Sequence, residues 1–184
     1  MKKILSLFFV IALFYACNNE ADKASADATP TPAAEKSTVV LPYTVGFSAS
    51  FNQDISDSAL LNVLNSYKHW ETGDMTALAG TFTDTISFQG WDGVTYSGPK
   101  AGLLSKWAKS RDSISSIKIE FEVWLKSHEI DNKADVIGVW YKEYDTYKSG
   151  KVDSAEWHDL NGVDKNGKIV WYRQYKRKLE EPKK

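Results

Sequence analysis

Four β-patterned segments follow one another at the C-terminal end of this chain, Ile117–His128, Ala134–Tyr147, Lys151–Val163 and Lys168–Lys178, with "DNK", "KSGK" and "KNGK" at the connections. Links of a few residues join antiparallel neighbours but cannot carry a chain back to a parallel one, so the segments form a meander of long strands closed by hairpins. Such a sheet must bury at least one face against apolar material from elsewhere in the chain.

The cover lies upstream. "SDSALLNVLNSYKHWETGD" places Leu60, Leu61, Leu64, Tyr67 and Trp70 at helical spacing between an N-cap at Ser56 or Asp57 and a stop at Gly73. A short second helix is predicted over Met75–Phe82 with Asp74 as its cap, and a third from Pro99 through Trp107 to about Ser110; proline in a first turn forfeits no hydrogen bond. "TISFQGWDGVTYSG" reads as two short strands around a turn at Asp92-Gly93. "YTVGFSASFN", alternating Tyr43, Val45, Phe47, Ala49 and Phe51, reads as a half-buried strand ahead of the first helix. Helices first and meander last is an α+β plan, with three N-terminal helices packed in the concave face of a curved, mainly antiparallel sheet.

Residues 43–180 make one domain of ordinary composition, long enough to bury roughly two thirds of the surface of its unfolded chain. The formal net charge is -1 and no face is dense in Lys and Arg, which speaks against nucleic-acid binding. Cys17 is the only cysteine, and His69, His128 and His158 form no H-x-x-x-H pair. The sequence therefore predicts no disulfide, no metal site and no cofactor.

Residues 1–16 have the three parts of an export signal: basic Lys2 and Lys3, an apolar stretch from Ile4 to Tyr15, and small Ala16 before Cys17. The apolar run is too short to span a bilayer, which needs about 20 such residues. "LFYAC" resembles the lipobox of bacterial lipoproteins, in a form tolerated by Bacteroidetes-type signals although Phe14 and Tyr15 replace the usual aliphatic and small residues. The resemblance implies acylation of Cys17, a lipid anchor as the sole membrane attachment, and residence at the outer membrane of the cell envelope, facing the periplasm or the outside. Residues 17–42 are polar, hold "TPTP" and no aromatic residue, and read as a disordered tether.

The stretch "YKHWETGDMTALAGTFTDTISFQGWDGVTYSGPKAGL" resembles the opening of SnoaL-like members of the NTF2-like superfamily, and "GVDKNGKIVWYRQYKR" resembles their closing hairpin. Together they cover about residues 56–179. The resemblance implies a cone-shaped fold with a pocket between helices and sheet, and a superfamily that holds isomerases, cyclases, dehydratases and non-enzymatic binding modules. In ketosteroid isomerase-like members a tyrosine stands eight residues before the Gly-Asp aspartate; here that position is Ser66, with Tyr67 beside it, and the expected strand aspartate gives way to Gln89-Gly90-Trp91. These departures favour a small-molecule-binding or protein-interaction module over a cofactor-independent isomerase, lyase or hydrolase.

Strand pairing supplies candidate site residues. A two-residue turn at Ser149-Gly150 would pair Tyr147 with Val152, and one at Asn166-Gly167 would pair Lys165 with Lys168. One face then carries Ile137, Val139, Leu160, Ile169 and Trp171 around Tyr141, Glu143, Glu156, His158, Arg173 and Tyr175. With Tyr67 and Trp70 from the first helix, these polar and aromatic groups are the expected pocket for a small amphipathic molecule. Glu156 and His158 are the candidate bases, and Arg173 or Tyr141 the candidate donor to an oxyanion. A salt-bridge network on the outer face is the other reading of the same residues, and one bulge would flip the parity. The opposite face collects Trp140, Tyr144, Trp157, Val163, Val170 and Tyr172, of which Trp140, Tyr144, Trp157 and Tyr172 are the expected homodimer surface unless the chain's own N-terminal strand covers them.

Overall fold

The computed structural model describes residues 42–44 and 50–179. The signal, Cys17, nearly all of the tether and residues 45–49 of the expected first strand lie outside the described residues. The described elements belong to one compact unit, Tyr43–Lys184.

Their order is β1 (Phe51–Asn52), α1 (Asp57–Thr72), α2 (Met75–Gly80), β2 (Phe82–Gln89), β3 (Thr95–Pro99), α3 (Lys100–Asp112), β4 (Ile114–Glu129), β5 (Asp135–Tyr147), β6 (Val152–Val163) and β7 (Ile169–Lys178). The strands form one seven-stranded sheet in the order β1-β4-β5-β6-β7-β2-β3, and β2 pairs parallel with β7 while the other pairings are antiparallel. This is the mainly antiparallel α+β plan that the order of helices and meander implies.

Local chemistry sets the helix ends. Ser56 caps α1 by accepting from the Ala59 N–H at 3.2 Å, and Gly73 ends it in the left-handed region at φ 77. Asp74 caps α2 through the Ala77 N–H at 2.9 Å. α2 stops at Gly80, two residues short of the sequence expectation, and Phe82 turns into the sheet. The buried side of α1 is Ala59, Val63, Ser66 and Tyr67 rather than the full leucine stripe, leaving Leu61 58% exposed. It packs on Ile137, Val139, Tyr141 and Ile169, and Trp70, Leu60 and Leu64 flank that contact. The α1 register is fixed from the far end of the chain, because Asn62 donates to the Thr81 and Gly167 carbonyls.

Two hairpins decide which side chains face the helices. The β5–β6 connection closes through the Tyr147 N–H to the Lys151 carbonyl, with a three-residue loop and Gly150 at φ 83. The β6–β7 connection closes through the Asp164 N–H to the Lys168 carbonyl, with Gly167 at φ 73. Each is a three-residue loop ending in a left-handed glycine, where sequence reasoning had placed two-residue turns.

Candidate functional site

Between the helices and the concave face lies a cavity of about 510 Å³. Leu78, Phe82, Phe88, Leu103 and Trp107 make its apolar wall, while Tyr141, Glu143 and Asp145 reach it from β5 and Trp157 and Asn161 from β6. Trp91 and Asp92, on the β2–β3 turn, and Lys176 of β7 also line it.

A buried carboxylate organises the sheet side of this wall. Asp159 is fully buried, and its Oδ2 accepts from the hydroxyls of Tyr67 at 3.1 Å, Tyr141 at 2.9 Å and Tyr172 at 2.5 Å. The tyrosines are held in turn: Asn161 Nδ2 donates to Tyr67 Oη and to the Ile137 carbonyl, and Gln174 Nε2 donates to Tyr172 Oη. Burial pushes the Asp159 carboxyl up to about 7, against the three hydroxyl hydrogen bonds that favour its charge. Burial, and then the Asp159 charge, raise all three tyrosines well above their ordinary value, so they stay donors.

Glu143 stands on the same face of β5, 7% exposed, beside the Trp70 indole, which favours its charged form. Burial first, then the charges of Asp145 and Asp159, push its carboxyl up to about 8. Asp145 is raised mainly by burial, and it pairs across the ladder with Asp153. Like charges directly opposite on adjacent strands repel. Lys176 Nζ lies 3.7 Å from Asp153 and rests over the rings of Trp91 and Trp157, 5.0 and 4.9 Å from their centroids. Among the described residues no group of three or more His, Cys, Asp or Glu is placed to hold a metal ion.

The structure divides the sequence-predicted residues into two sets. Tyr67, Trp70, Tyr141 and Glu143 line the cavity together. Glu156, His158, Trp171, Arg173 and Tyr175 do not: they share the convex face, where Glu156 pairs with Arg177 at 2.8 Å and His158 stacks on Trp140 with ring centroids 4.1 Å apart. Arg173 lies over the Trp171 ring at 5.3 Å, and the Trp171 indole covers Gly162 so closely that a Cβ there would overlap it. The expected convex set is also split. Trp140 and Tyr144 are outside, whereas Trp157 and Tyr172 line the cavity and Val163 joins the core.

One register step accounts for most of this. The three-residue loop pairs Tyr141 with Trp157 and Lys142 with Glu156, where the two-residue turn would have paired Glu143 with Glu156. A slip of one residue exchanges every side chain of a strand between faces. In β7 the loop and an irregularity between Gly162 and Val163 offset each other, so Leu160 pairs with Arg173 and His158 with Tyr175, as expected, while Ile169 turns into the core. Asp159, Asn161, Gln174 and Lys176 were missed for the same reason, whereas Asp145 follows Glu143 on the correctly read face of β5 and was left out of the set. The available signal was Ser149, since a two-residue type I′ turn needs positive φ at both central positions and only Gly150 accepts it readily.

No protein-family model and no curated protein matches the sequence. Solved structures do. An NTF2-like protein of unknown function from Exiguobacterium sp. 255-15 superimposes with TM-score 0.53 at 18% identity, over 64% of this chain and 99% of that one. The epoxide hydrolase/cyclase-like enzyme SalBIII, of pyran ring formation in the polyether salinomycin, gives TM-score 0.55 at 17% identity over 68% and 95%. A Mycobacterium tuberculosis protein in complex with estradiol-17β-hemisuccinate gives TM-score 0.53 at 15% identity over 64% and 92%. At these identities the likeness is one of architecture, and the fold of this domain is the NTF2-like cone.

Proposed function

We propose that this chain is a cell-envelope lipoprotein whose NTF2-like domain binds a small amphipathic molecule. The observation that carries the reading is the cavity of about 510 Å³, with an aromatic and aliphatic wall and a few converging polar groups, a size and lining that suit a small ligand. Two buried acceptors, Asn161 Oδ1 and Asp145 Oδ1, have no hydrogen-bond partner among the described residues, and a buried acceptor left unmatched is a cost that a ligand donor removes. The structural relative holding estradiol-17β-hemisuccinate supports the same use of the fold. Mass spectrometry of organic extracts from protein purified out of its own host tests this: one class of small molecule should be retained, and an empty domain would overturn the reading.

A second reading, a cofactor-independent isomerase, lyase or hydrolase, is favoured by one observation. Glu143 is held near pH 8 inside the cavity, close enough to neutrality for general acid–base work. In this reading Glu143 replaces Glu156 and His158 as the titrating group, with Tyr141 beside it. Recovery of the retained molecule unchanged after incubation with the protein supports binding alone; a converted product supports the enzyme.

The anchor and the assembly can be tested together. Cys17→Ser should move the protein from membranes to the soluble fraction, because several acyl chains hold firmly at about 0.8 kcal/mol per buried methylene. Val123, Leu125 and Tyr175 are exposed on the same convex face as Trp140 and Trp171, which makes that face the proposed contact with a second copy. Light scattering of the released protein should give the mass of a dimer. Continued pelleting would remove the anchor, and a monomer mass would remove the interface.

A further inference from the structure

We propose that the ligand is an organic cation, an ammonium group carried on an apolar or aromatic body, seated at Glu143 and Asp145 with its body against the Phe82–Trp107 wall. The inference rests on the binding reading above and names the ligand class for that cavity.

Four observations point to a cation. Glu143 and Asp145 alternate onto the same face of β5, and Asp145 stands opposite Asp153 on β6, so three carboxyls occupy adjoining positions of the sheet. Lys176 is the only cation among the described residues placed in an ion pair with this group, and it is committed to Asp153 at 3.7 Å. Arg111 approaches from α3 and lowers Asp145 by its charge, yet its guanidinium hydrogen-bonds the Trp70, Glu71 and Ile114 carbonyls. Lys176 also favours the charge of both Glu143 and Asp145, but among the described residues neither carboxyl is in an ion pair.

The second observation concerns unmatched atoms. Among the described residues Asp145 Oδ1 is buried without a hydrogen-bond partner, and Asn161, 1% exposed and lining the same cavity, leaves its Oδ1 unpaired. Asn161 is fixed in orientation by its Nδ2 bonds to Tyr67 Oη and the Ile137 carbonyl, which aims the free atom as an acceptor. The Asp145 vacancy calls for a donor at the proposed seat, which a carboxylate or a phosphate does not supply; that of Asn161, which pairs with Ile137 six ladder positions from Glu143, calls for a separate donor further along the cavity.

The third is the aromatic surround: Trp70, Tyr141 and Trp157 line the cavity with Glu143, and ring faces attract ammonium groups most strongly when water is excluded. The fourth is that the chain already makes this contact once. The Lys176 ammonium rests against Trp91 and Trp157, two indoles packed edge-to-face at 6.5 Å. The cavity wall therefore accommodates an alkylammonium at its own lysine, and Glu143 and Asp145, in no ion pair among the described residues, offer a second such position.

The test compares three probes of similar shape by calorimetry on the purified protein: phenethylammonium, whose N–H groups can donate, its uncharged carbon isostere propylbenzene, and 3-phenylpropanoate. The cation should bind at least tenfold tighter than the isostere, and Glu143→Gln should remove about tenfold of the cation's affinity while leaving the isostere's unchanged. Circular dichroism of the variant confirms the fold. Equal or tighter binding of the isostere or the carboxylate overturns the cation inference and leaves the binding reading standing; no binding by any of the three overturns both. An affinity for the cation that Glu143→Gln does not alter overturns the placement of the ammonium.

Discussion

Asp159→Ala should destabilise the domain by about 3–5 kcal/mol, the largest single-residue effect expected in this molecule. The substitution leaves the hydroxyls of Tyr67, Tyr141 and Tyr172 without their shared acceptor in a buried site. Each buried donor stranded in this way costs about 1–3 kcal/mol, less in sum because the three share one partner. Asp159→Asn keeps an acceptor oxygen and should lose less than half as much at pH 7. It should also flatten part of the pH dependence. Burial holds the wild-type carboxyl up to about 7, above its unfolded value, so the neutral form is the one the fold favours. That contribution is fully present below about pH 4 and is lost as pH rises through 7. Urea melts of both variants at pH 5 and pH 8 check the expectation; an alanine variant within about 1 kcal/mol of wild type would mean the hydroxyls are satisfied elsewhere.

Glu143→Gln should leave stability nearly unchanged at pH 5 and raise it by roughly 2 kcal/mol or more at pH 9. Glutamine matches the shape of the protonated acid and keeps an acceptor oxygen beside the Trp70 indole. The wild-type carboxyl is pushed up to about 8, by burial first and then by the charges of Asp145 and Asp159. The native state therefore binds its proton more tightly than the unfolded chain does. Wild-type stability falls as pH climbs from the unfolded value through 8, and the amide escapes that fall. Thermal melts of the two proteins across this range decide the matter, and parallel curves would show that Glu143 is ionised and matched by a cation in the native state.

The convex surface responds differently. Arg173 is exposed and lies over Trp171 rather than between carboxylates, and Glu156 has its own partner in Arg177. Exposed pairs of this kind contribute about 0–1 kcal/mol, so the network that sequence reasoning placed in a pocket belongs to a face suited to another surface.

The amino-acid sequence by itself determined the elements, their order and their local ends. Ser56, Gly73 and Asp74 act at their own positions, through hydrogen bonds to residues three to five places away and through a left-handed φ, and alternation along β5 put Tyr141 and Glu143 on the covered face with Ile137 and Val139. It likewise kept Glu156, His158, Trp171, Arg173 and Tyr175 together, since pairing within one hairpin is local. What the tertiary structure decided is which side of β6 and β7 meets the helices. Side chains alternate with a period of two, so a loop of three residues in place of two reverses a whole strand, and that choice rests on the backbone angles of Ser149 and Gly150. The centre of the site was further from reach. Asp159 meets Tyr67 across 92 positions of sequence and Tyr141 and Tyr172 across 18 and 13, and a carboxyl becomes a shared acceptor held near pH 7 only once packing has taken it out of water.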